Sequence, residues 1–350
     1  MKAGIAGAGI MGCLLAAALQ EQGWQVTLYD HNQEETSCSH AAAGLLTPLT
    51  ELEKNAVLIY QLGNEALNEH WPRLLHEYNQ AFFFKRQGSL AVAHPHDRDE
   101  LARLVMMIHS KLKTANIQSL DRDQLLHLEP QLTKFAAGYF FPEEGQVDAQ
   151  HVLQLLKQQL QTCTWRMETV LEVRTGKMVL QDRVEYFDHV FDCRGLGAKS
   201  IFHDLRGVRG ELIWLHAPEV TLTRPIRLMH PRYSLYVAPR PHHIYLVGAS
   251  EIEANDISAI SVRTLLELLT AVYSIHPGFS EARLIKTVTQ LRPTLTDHLP
   301  KIKYSDGFLA VNGLHRHGYL IAPTLVADIM HRLNAGKAAV RYPQLWEQPL

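Results

Sequence analysis

Gly7, Gly9 and Gly12, spaced G-x-G-x-x-G, and Asp30, 18 residues beyond the last of them, are the residues of this chain with the plainest chemistry. A glycine at the first position permits a tight turn out of a strand. At the second, the missing side chain lets a pyrophosphate approach the backbone, and at the third it lets helix and strand pack closely. The N–H groups at the start of the following helix are free, and its partial positive charge favours an anion there. A carboxylate at the end of the next strand can accept hydrogen bonds from the hydroxyls of an adenosine ribose. The predicted chemistry is the binding of a dinucleotide.

The elements that must position these residues can be read around them. Ala3, Ile5 and Ala6 read as a buried strand. Apolar Ile10, Met11, Leu14, Leu15, Ala18 and Leu19 recur at helical spacing, Gly23 ends that helix, and Val26, Leu28 and Tyr29 form the strand that delivers Asp30. Three glycines alone carry little weight; strand, turn, helix, strand and acid in this order carry much more. The apolar run over 3–19 is not read as a secretory leader. One lysine precedes it, glycines recur within it, and it continues into Gly23 and a strand rather than a cleavage site.

Of the 350 residues 46% are hydrophobic and 20% charged, a globular composition with enough chain for two domains. A formal net charge of −2 lacks the basic excess of a nucleic-acid surface, so no nucleic-acid partner is expected. No apolar run reaches the roughly 18 residues of a membrane span without glycine or a polar residue. Cys13, Cys38, Cys163 and Cys193 are scattered, without a C-x-x-C, which argues against a disulfide framework or zinc site and for a cytoplasmic location. His242-His243 and His315-x-His317 have no acid or cysteine at ligand spacing, so no metal is expected.

Further along, a polar loop covers His31 to Ser39 and is followed by His40 to Pro48, where small residues and Gly44 imply a backbone pressed against something flat or bulky. Helical periods are read over Glu51–Tyr78, Asp97–Ala115, Asp121–Glu129, Asp148–Cys163, Ser261–Ile275 and Tyr319–Leu333. Strands are read over Ala81–Ala93, Ala137–Phe141, Thr169–Val173, Val190–Cys193, Gly210–Leu215, Ile226–Met229, Ser234–Ala238, His243–Val247, Leu284–Leu291 and Gly307–Val311, with a hairpin over 178–187. Nucleotide-type elements at the start, middle and end enclose two blocks of antiparallel character. This predicts an α/β protein of two discontinuous domains: 1–80, 146–207 and 283–350 for the nucleotide, 81–145 and 208–282 for the substrate.

GAGIMG with Asp30, HAAAGLL, ETVLEV, DCRGLG, LYVAPR, Leu291-Arg292-Pro293 and GLHRHGYLIAP follow one another in an order that resembles the glycine oxidase and D-amino-acid oxidase family of flavoproteins, over nearly the whole chain. The resemblance implies a Rossmann-type FAD-binding domain and a second, antiparallel-sheet α+β substrate domain. Gly7, Gly9, Gly12 and Asp30 would hold the ADP half of FAD, and Ala42, Ala43, Gly44 and Leu45 would lie against the flavin ring. Ile10, Met11, His31, Ser39 and His40 would also contact the cofactor. Val170 would meet the adenine region through its backbone, and Cys193 and Gly195 would line the cleft. His315, Arg316, His317, Gly318 and Tyr319 would form the loop and helix start at the pyrimidine edge, where positive charge suits the reduced flavin. Arg292 would pair with a substrate carboxylate, using a bidentate fork that lysine lacks, and Tyr236 would contact the substrate. Arg194 in DCRGLG, His40, His317, Glu251 and Glu253 depart from the residues common in that family and bear on the usual small substrate rather than on the flavin.

The function implied is oxidation of a C–N bond of an amino acid or amine, by hydride transfer to flavin with dioxygen as acceptor; a homo-oligomer is compatible with it. An alternative branch of such flavoproteins modifies a partner protein, helping to form its tryptophan-derived quinone, and the segment HAAAGLLTPLTELEKN and the departures resemble that branch. A third reading, a nicotinamide-linked dehydrogenase built on the first motif alone, is opposed by the later motifs. Asp30→Ala is expected to weaken FAD binding by roughly 1.5–3 kcal/mol, the scale of a hydrogen bond to a charged group, in a fluorescence titration of apoprotein with FAD.

Overall fold

The computed structural model describes residues 1–31, 37–52, 56–232 and 234–347. Parts of two expected elements, the polar loop at 32–36 and the helix at 53–55, lie outside the described residues. Lys2–Ala6 lies inside a seven-stranded sheet, flanked by Gln25–Tyr29 on one side and the central strand His189–Asp192 on the other, both parallel to it. Thr164–Arg166 closes one edge; Phe308–Asn312, Lys301–Ser305 and Trp346–Glu347 complete the other. Strands buried on both faces read as short continuous apolar runs. Ala3 and Ile5 are wholly buried, and Ile5 packs with Leu15, Leu19 and Leu28 beneath the first helix, Ile10–Glu21.

That helix packs beside the last one, Gly318–Ala335, and against Ala149–Gln159, which makes a helical layer on one face of the sheet. The other face carries a small antiparallel sheet of Glu172–Arg174, Lys177–Val179 and Val184–Tyr186, whose Met178 and Leu180 join Ala6, Tyr29 and Val190 in a separate core. The result is a three-layer α/β unit. It fits the expected fold class.

The second sheet has eight strands. Its longest pair is antiparallel, Arg206–His216 against Arg283–Thr294, with a register shift between Trp214 and Leu215. Ile244–Gly248, Ser234–Arg240 and Ile226–Met229 extend it, and Ile226–Met229 then runs parallel to Ser89–Ala93. The helix Val262–Ile275, capped by Ser261, buries Leu268, Ala271, Val272 and Ile275 against it. The domain boundaries remain our proposal, with one observation to add. Arg283–Thr294 pairs within this second sheet, and the chain next joins the first sheet at Lys301–Ser305. No helix among the described residues is long and apolar enough to cross a membrane.

Three local expectations are corrected. The helix expected over Glu51–Tyr78 is broken into Pro48–Glu51, Val57–Glu65, a wider π-helical turn Ala66–His70, and Trp71–Glu77. Pro72 lies in the first turn of the last piece, where a missing N–H is tolerated but an unbroken α-helical ladder is not. The strand expected over Thr169–Val173 begins only at Glu172. The strand Lys301–Ser305 was not expected, although Asp306-Gly307 between it and Phe308–Asn312 is a two-residue hairpin signal.

Glu144 links the two halves of the fold. It is fully buried, and its carboxylate accepts from Thr50 N at 2.8 Å and Ser89 Oγ at 2.5 Å. Burial pushes the carboxyl up to about 7, against those hydrogen bonds and the charge of Arg227. The native state therefore holds this proton more tightly than the unfolded chain does. Its contribution is fully present below the ordinary value of 4.5 and is lost as pH rises through about 7. Glu144→Gln removes the titration. The stability of wild type relative to Glu144→Gln should fall by roughly 3 kcal/mol between pH 4.5 and 8, as read by urea denaturation at both pH values.

Candidate active site

A cavity of about 1070 Å3 runs from the first glycine turn, past Asp30 and the 37–45 segment, to the inner face of the second sheet and the start of the last helix. The walls at its first end depend on close backbone approach. Gly7 has φ +98°, and a Cβ there would stand 2.5 Å from the Cys193 carbonyl oxygen. A Cβ on Gly12 would overlap the Gly7 carbonyl. Ile10 N donates to Ser39 Oγ at 2.9 Å, and a Cβ on Gly9 would lie 2.9 Å from that same oxygen. Asp30 Oδ2 accepts from Ala8 N at 2.7 Å, which holds the carboxylate beside the turn, while Oδ1 faces His31 Nδ1 at 3.4 Å.

Ile10, Met11, Ser39, Ala42, Ala43, Gly44 and Leu45 all face the cavity, as do Val170, Cys193 and Gly195. Gly12 and His40 stand behind the wall. Gly12 serves the helix–turn contact, and the His40 backbone is held between Ser37 Oγ and Gln150 Nε2. The close approach expected at Gly44 has a protein partner: a Cβ there would overlap the Val147 carbonyl, and Val147 N donates to the Gly44 carbonyl at 2.8 Å. Buried Arg240, not singled out from sequence, donates to the carbonyls of Ala43 and Val147 and so fixes this wall. Arg194 does the same near Val170. It donates to the Val170 carbonyl at 2.7 Å and the Leu171 carbonyl at 3.1 Å, and pairs at 2.6 Å with fully buried Asp192. Val170, whose backbone is expected to meet the adenine region, thus has its carbonyl engaged by a guanidinium.

Arg292 and Tyr236 come together at the far end, from two strands of the second sheet that have Arg206–His216 and Ile244–Gly248 between them. Arg292 Nη1 donates to the Ser250 carbonyl at 3.0 Å, and its guanidinium lies where any side chain on Gly210 would be. Arg292 has no ion-pair partner among the described residues. Burial pulls its pKa down from the usual arginine range, a pressure that a carboxylate entering the cavity would relieve. Burial likewise raises the Tyr236 phenol, against the positive charges of Arg292 and Arg316.

Beside this pair runs a chain of charges that sequence reading did not assemble. Glu51 Oε2 binds Arg316 at 2.6 and 3.0 Å, and its Oε1 lies 3.4 Å from Arg227 Nη2. Arg316 continues to Glu251 at 3.2 Å, and Glu251 to His315 at 3.4 Å. Burial alone would raise the Glu51 carboxyl, but Arg316, His317 and Arg227 outweigh it and hold it at about 2. His317 is pushed down to about 3, chiefly by burial, so its ring is neutral at neutral pH. Its Nε2 is buried and without a hydrogen-bond partner among the described residues. His317 lines the cavity at the start of the 18-residue helix Gly318–Ala335, a place suited to a polar ligand atom. Tyr319 ties this helix start to the 38–45 wall, its hydroxyl lying 3.0 Å from the Ser39 carbonyl and 2.7 Å from that of Ala149.

A glycine-rich strand–turn–helix at one end of a long cavity, with an arginine-bearing sheet face at the other, defines a dinucleotide-dependent enzyme. The chain belongs to the family of FAD-dependent oxidoreductases, whose profile matches residues 2–331, and FAD is its cofactor. A relative from Rhizobium etli that bears the name thiamine biosynthesis oxidoreductase ThiO is 34% identical over 95% of this chain and 96% of its own length. Glycine oxidase of Geobacillus kaustophilus is 22% identical over 94% of this chain and 92% of its own. Its crystal structure superposes with a TM-score of 0.84 at 19% identity, covering 98% and 97% of the two chains. That of an iminodiacetate oxidase from Chelativorans superposes with a TM-score of 0.82 at 22% identity over 99% of each chain.

The cavity suits this cofactor: the cradle at Gly7 and Gly9 admits no side chain, and the orphaned His317 Nε2 offers a polar atom at its far wall. Gly9→Val should therefore fold but purify without bound flavin, through crowding at Ser39 as well as loss of the approach to the backbone. Circular dichroism with the absorbance near 450 nm checks this outcome, and a fully yellow variant would contradict it.

Proposed function

We propose that this enzyme oxidises the C–N bond of a small α-amino acid, glycine being the first candidate because a relative is a glycine oxidase. The observation that carries the reading is Arg292, a guanidinium on the wall of the cavity with no ion pair among the described residues, and with the Tyr236 phenol nearby. The pairing of its neighbours supports it: Arg227 and Arg316 are already engaged by Glu51 and Glu251, whereas Arg292 is left for an entering carboxylate.

The residues proposed to hold FAD are Gly7, Gly9, Ile10, Met11 and Asp30 for the ADP half, Ala42 to Leu45 for the ring, and His315 to Tyr319 for its pyrimidine edge. When bound, FAD supplies the two-electron oxidation, with dioxygen as the proposed acceptor. The protein's own part is to bind and orient. Arg292 grips the carboxylate as a fork, which fixes the direction of the α-carbon, and Tyr236 limits its rotation. Neither Glu51, held ionised by Arg316 at about 2, nor His317, pushed down to about 3, is poised as a base. The proposed reaction therefore starts from the neutral substrate amine and asks no proton transfer of these two residues.

Arg292→Lys removes the fork and leaves the FAD contacts untouched. It should lower kcat/KM for glycine by about 3–5 kcal/mol, with normal flavin content. The check is anaerobic bleaching of the bound flavin by glycine in both proteins. Equal bleaching of wild type and variant would transfer the reading to a substrate without a carboxylate, such as an amine or a partner protein's side chain.

A further inference from the structure

Beside the main cavity, and sharing Glu251, His315 and Arg316 with it, lies a second one of about 220 Å3, lined also by Asp297 and His298. We propose that Glu251, His298 and His315 bind a divalent transition-metal ion of the zinc type. One ligand atom from each of the three lies within 4.8 Å of the other two. His315 Nε2 stands 3.4 Å from Glu251 Oε1. Two donors about 2.0–2.2 Å from a tetrahedral zinc ion are separated by about 3.3–3.6 Å, so this pair is already at ligand spacing.

The hydrogen bonds decide where the protons are. Thr294 Oγ1 donates its one proton to the Arg292 carbonyl at 2.9 Å. With that proton on the carbonyl, the 2.8 Å bond between Thr294 Oγ1 and His315 Nδ1 has the imidazole as donor, the tautomer that metal binding at Nε2 requires. A neutral ring protonated at Nδ1 carries a bare lone pair at Nε2, and that lone pair faces the carboxylate oxygen. The His315 side chain is only 2% exposed, an environment that disfavours a second proton on the ring. Arg206 Nη2 lies 3.2 Å from His298 Nε2, and because a guanidinium only donates, this nitrogen is unprotonated too. Arg206 would keep its two bonds to Glu253 and one to the Leu295 carbonyl if an ion took that lone pair.

The three ligand atoms thus converge, and an ion entering between them would take the place of the proton that His315 and Glu251 can share. Thr294 orients His315 as outer partners of metal-binding histidines do. Both histidines have left-handed backbones, φ 59° at His298 and 48° at His315, a conformation that non-glycine residues keep only where their surroundings require it. Glu253 and Asp297 add negative charge beside Arg206 and Lys301. The other oxygen of Glu251 stays on Arg316, so a bound ion would share a carboxylate with the guanidinium that reaches Glu51.

The test uses tag-free, FAD-loaded protein and zinc chloride alone, in isothermal titration and equilibrium dialysis. One zinc ion per chain is expected for wild type, with affinity lowered at least tenfold in both His298→Ala and Glu251→Gln. Glu69→Gln, aimed at the separate Glu65–Glu69–His70 cluster, should bind as wild type does. Flavin content and circular dichroism report the folding of each variant. Absence of stoichiometric zinc binding by wild type, or binding that survives both substitutions at the proposed site, would overturn the proposal.

Discussion

Three backbone segments meet within contact distance where the parallel strands end, and the rest of the molecule depends on that meeting. Gly7 N donates to the Tyr29 carbonyl at 2.8 Å, Cys193 N to the Ala6 carbonyl at 2.8 Å, and Gly12 admits no side chain beside the Gly7 carbonyl. The first turn is thereby pinned between the second and third parallel strands. Its helix must leave at an angle that presents its N-terminal N–H groups to the cavity, while the stem of Arg194, following Cys193, is set to reach Val170. A side chain at Gly7 or Gly12 would not merely crowd a ligand; it would push these segments apart and reshape the cavity before any cofactor arrived.

The opposite end is governed by a different constraint, the cost of burying charge. An ion taken out of water costs several kcal/mol unless it is paired. Glu51, Arg316, Arg227 and Glu251 meet this requirement by alternating in sign along the wall. Arg292 stands outside the chain, the one guanidinium of this group without an acid partner among the described residues, and the proposed grip on a substrate carboxylate rests on that exception. Glu51 and His317 also show how proximity decides protonation. The same packing that lowers one carboxyl to about 2 drives the neighbouring imidazole to about 3. The reaction end thus holds an ionised acid and a neutral histidine over the whole physiological range.

Much of this was legible in residue order. The glycine spacing, the periodic first helix and Asp30 specify a dinucleotide cradle because their physics is local: a turn, a helix start and a strand end lie within 30 residues. Gly44 was legible as a close approach, though not as an approach to Val147, about 100 residues away. The hairpin at Asp306-Gly307 is also legible: Ile302 and Tyr304 alternate with Lys301, Lys303 and Ser305 ahead of a two-residue turn.

By itself, the sequence determined the parallel α/β frame, the cofactor class and the candidates at the cavity walls. Short-range periodicity and turn chemistry are fixed by neighbours along the chain. Only the tertiary structure decided that Gly12 and His40 stand behind the wall, that Arg194 and Arg240 brace it, and that Glu51, Arg227 and Glu251 share one end of the cavity with Arg292. These residues lie on separate elements as much as 265 positions apart, as Glu51 and Arg316 are. Their meeting depends on the register of Arg206–His216 against Arg283–Thr294 and on the desolvation that follows, and neither quantity is local to any stretch of sequence.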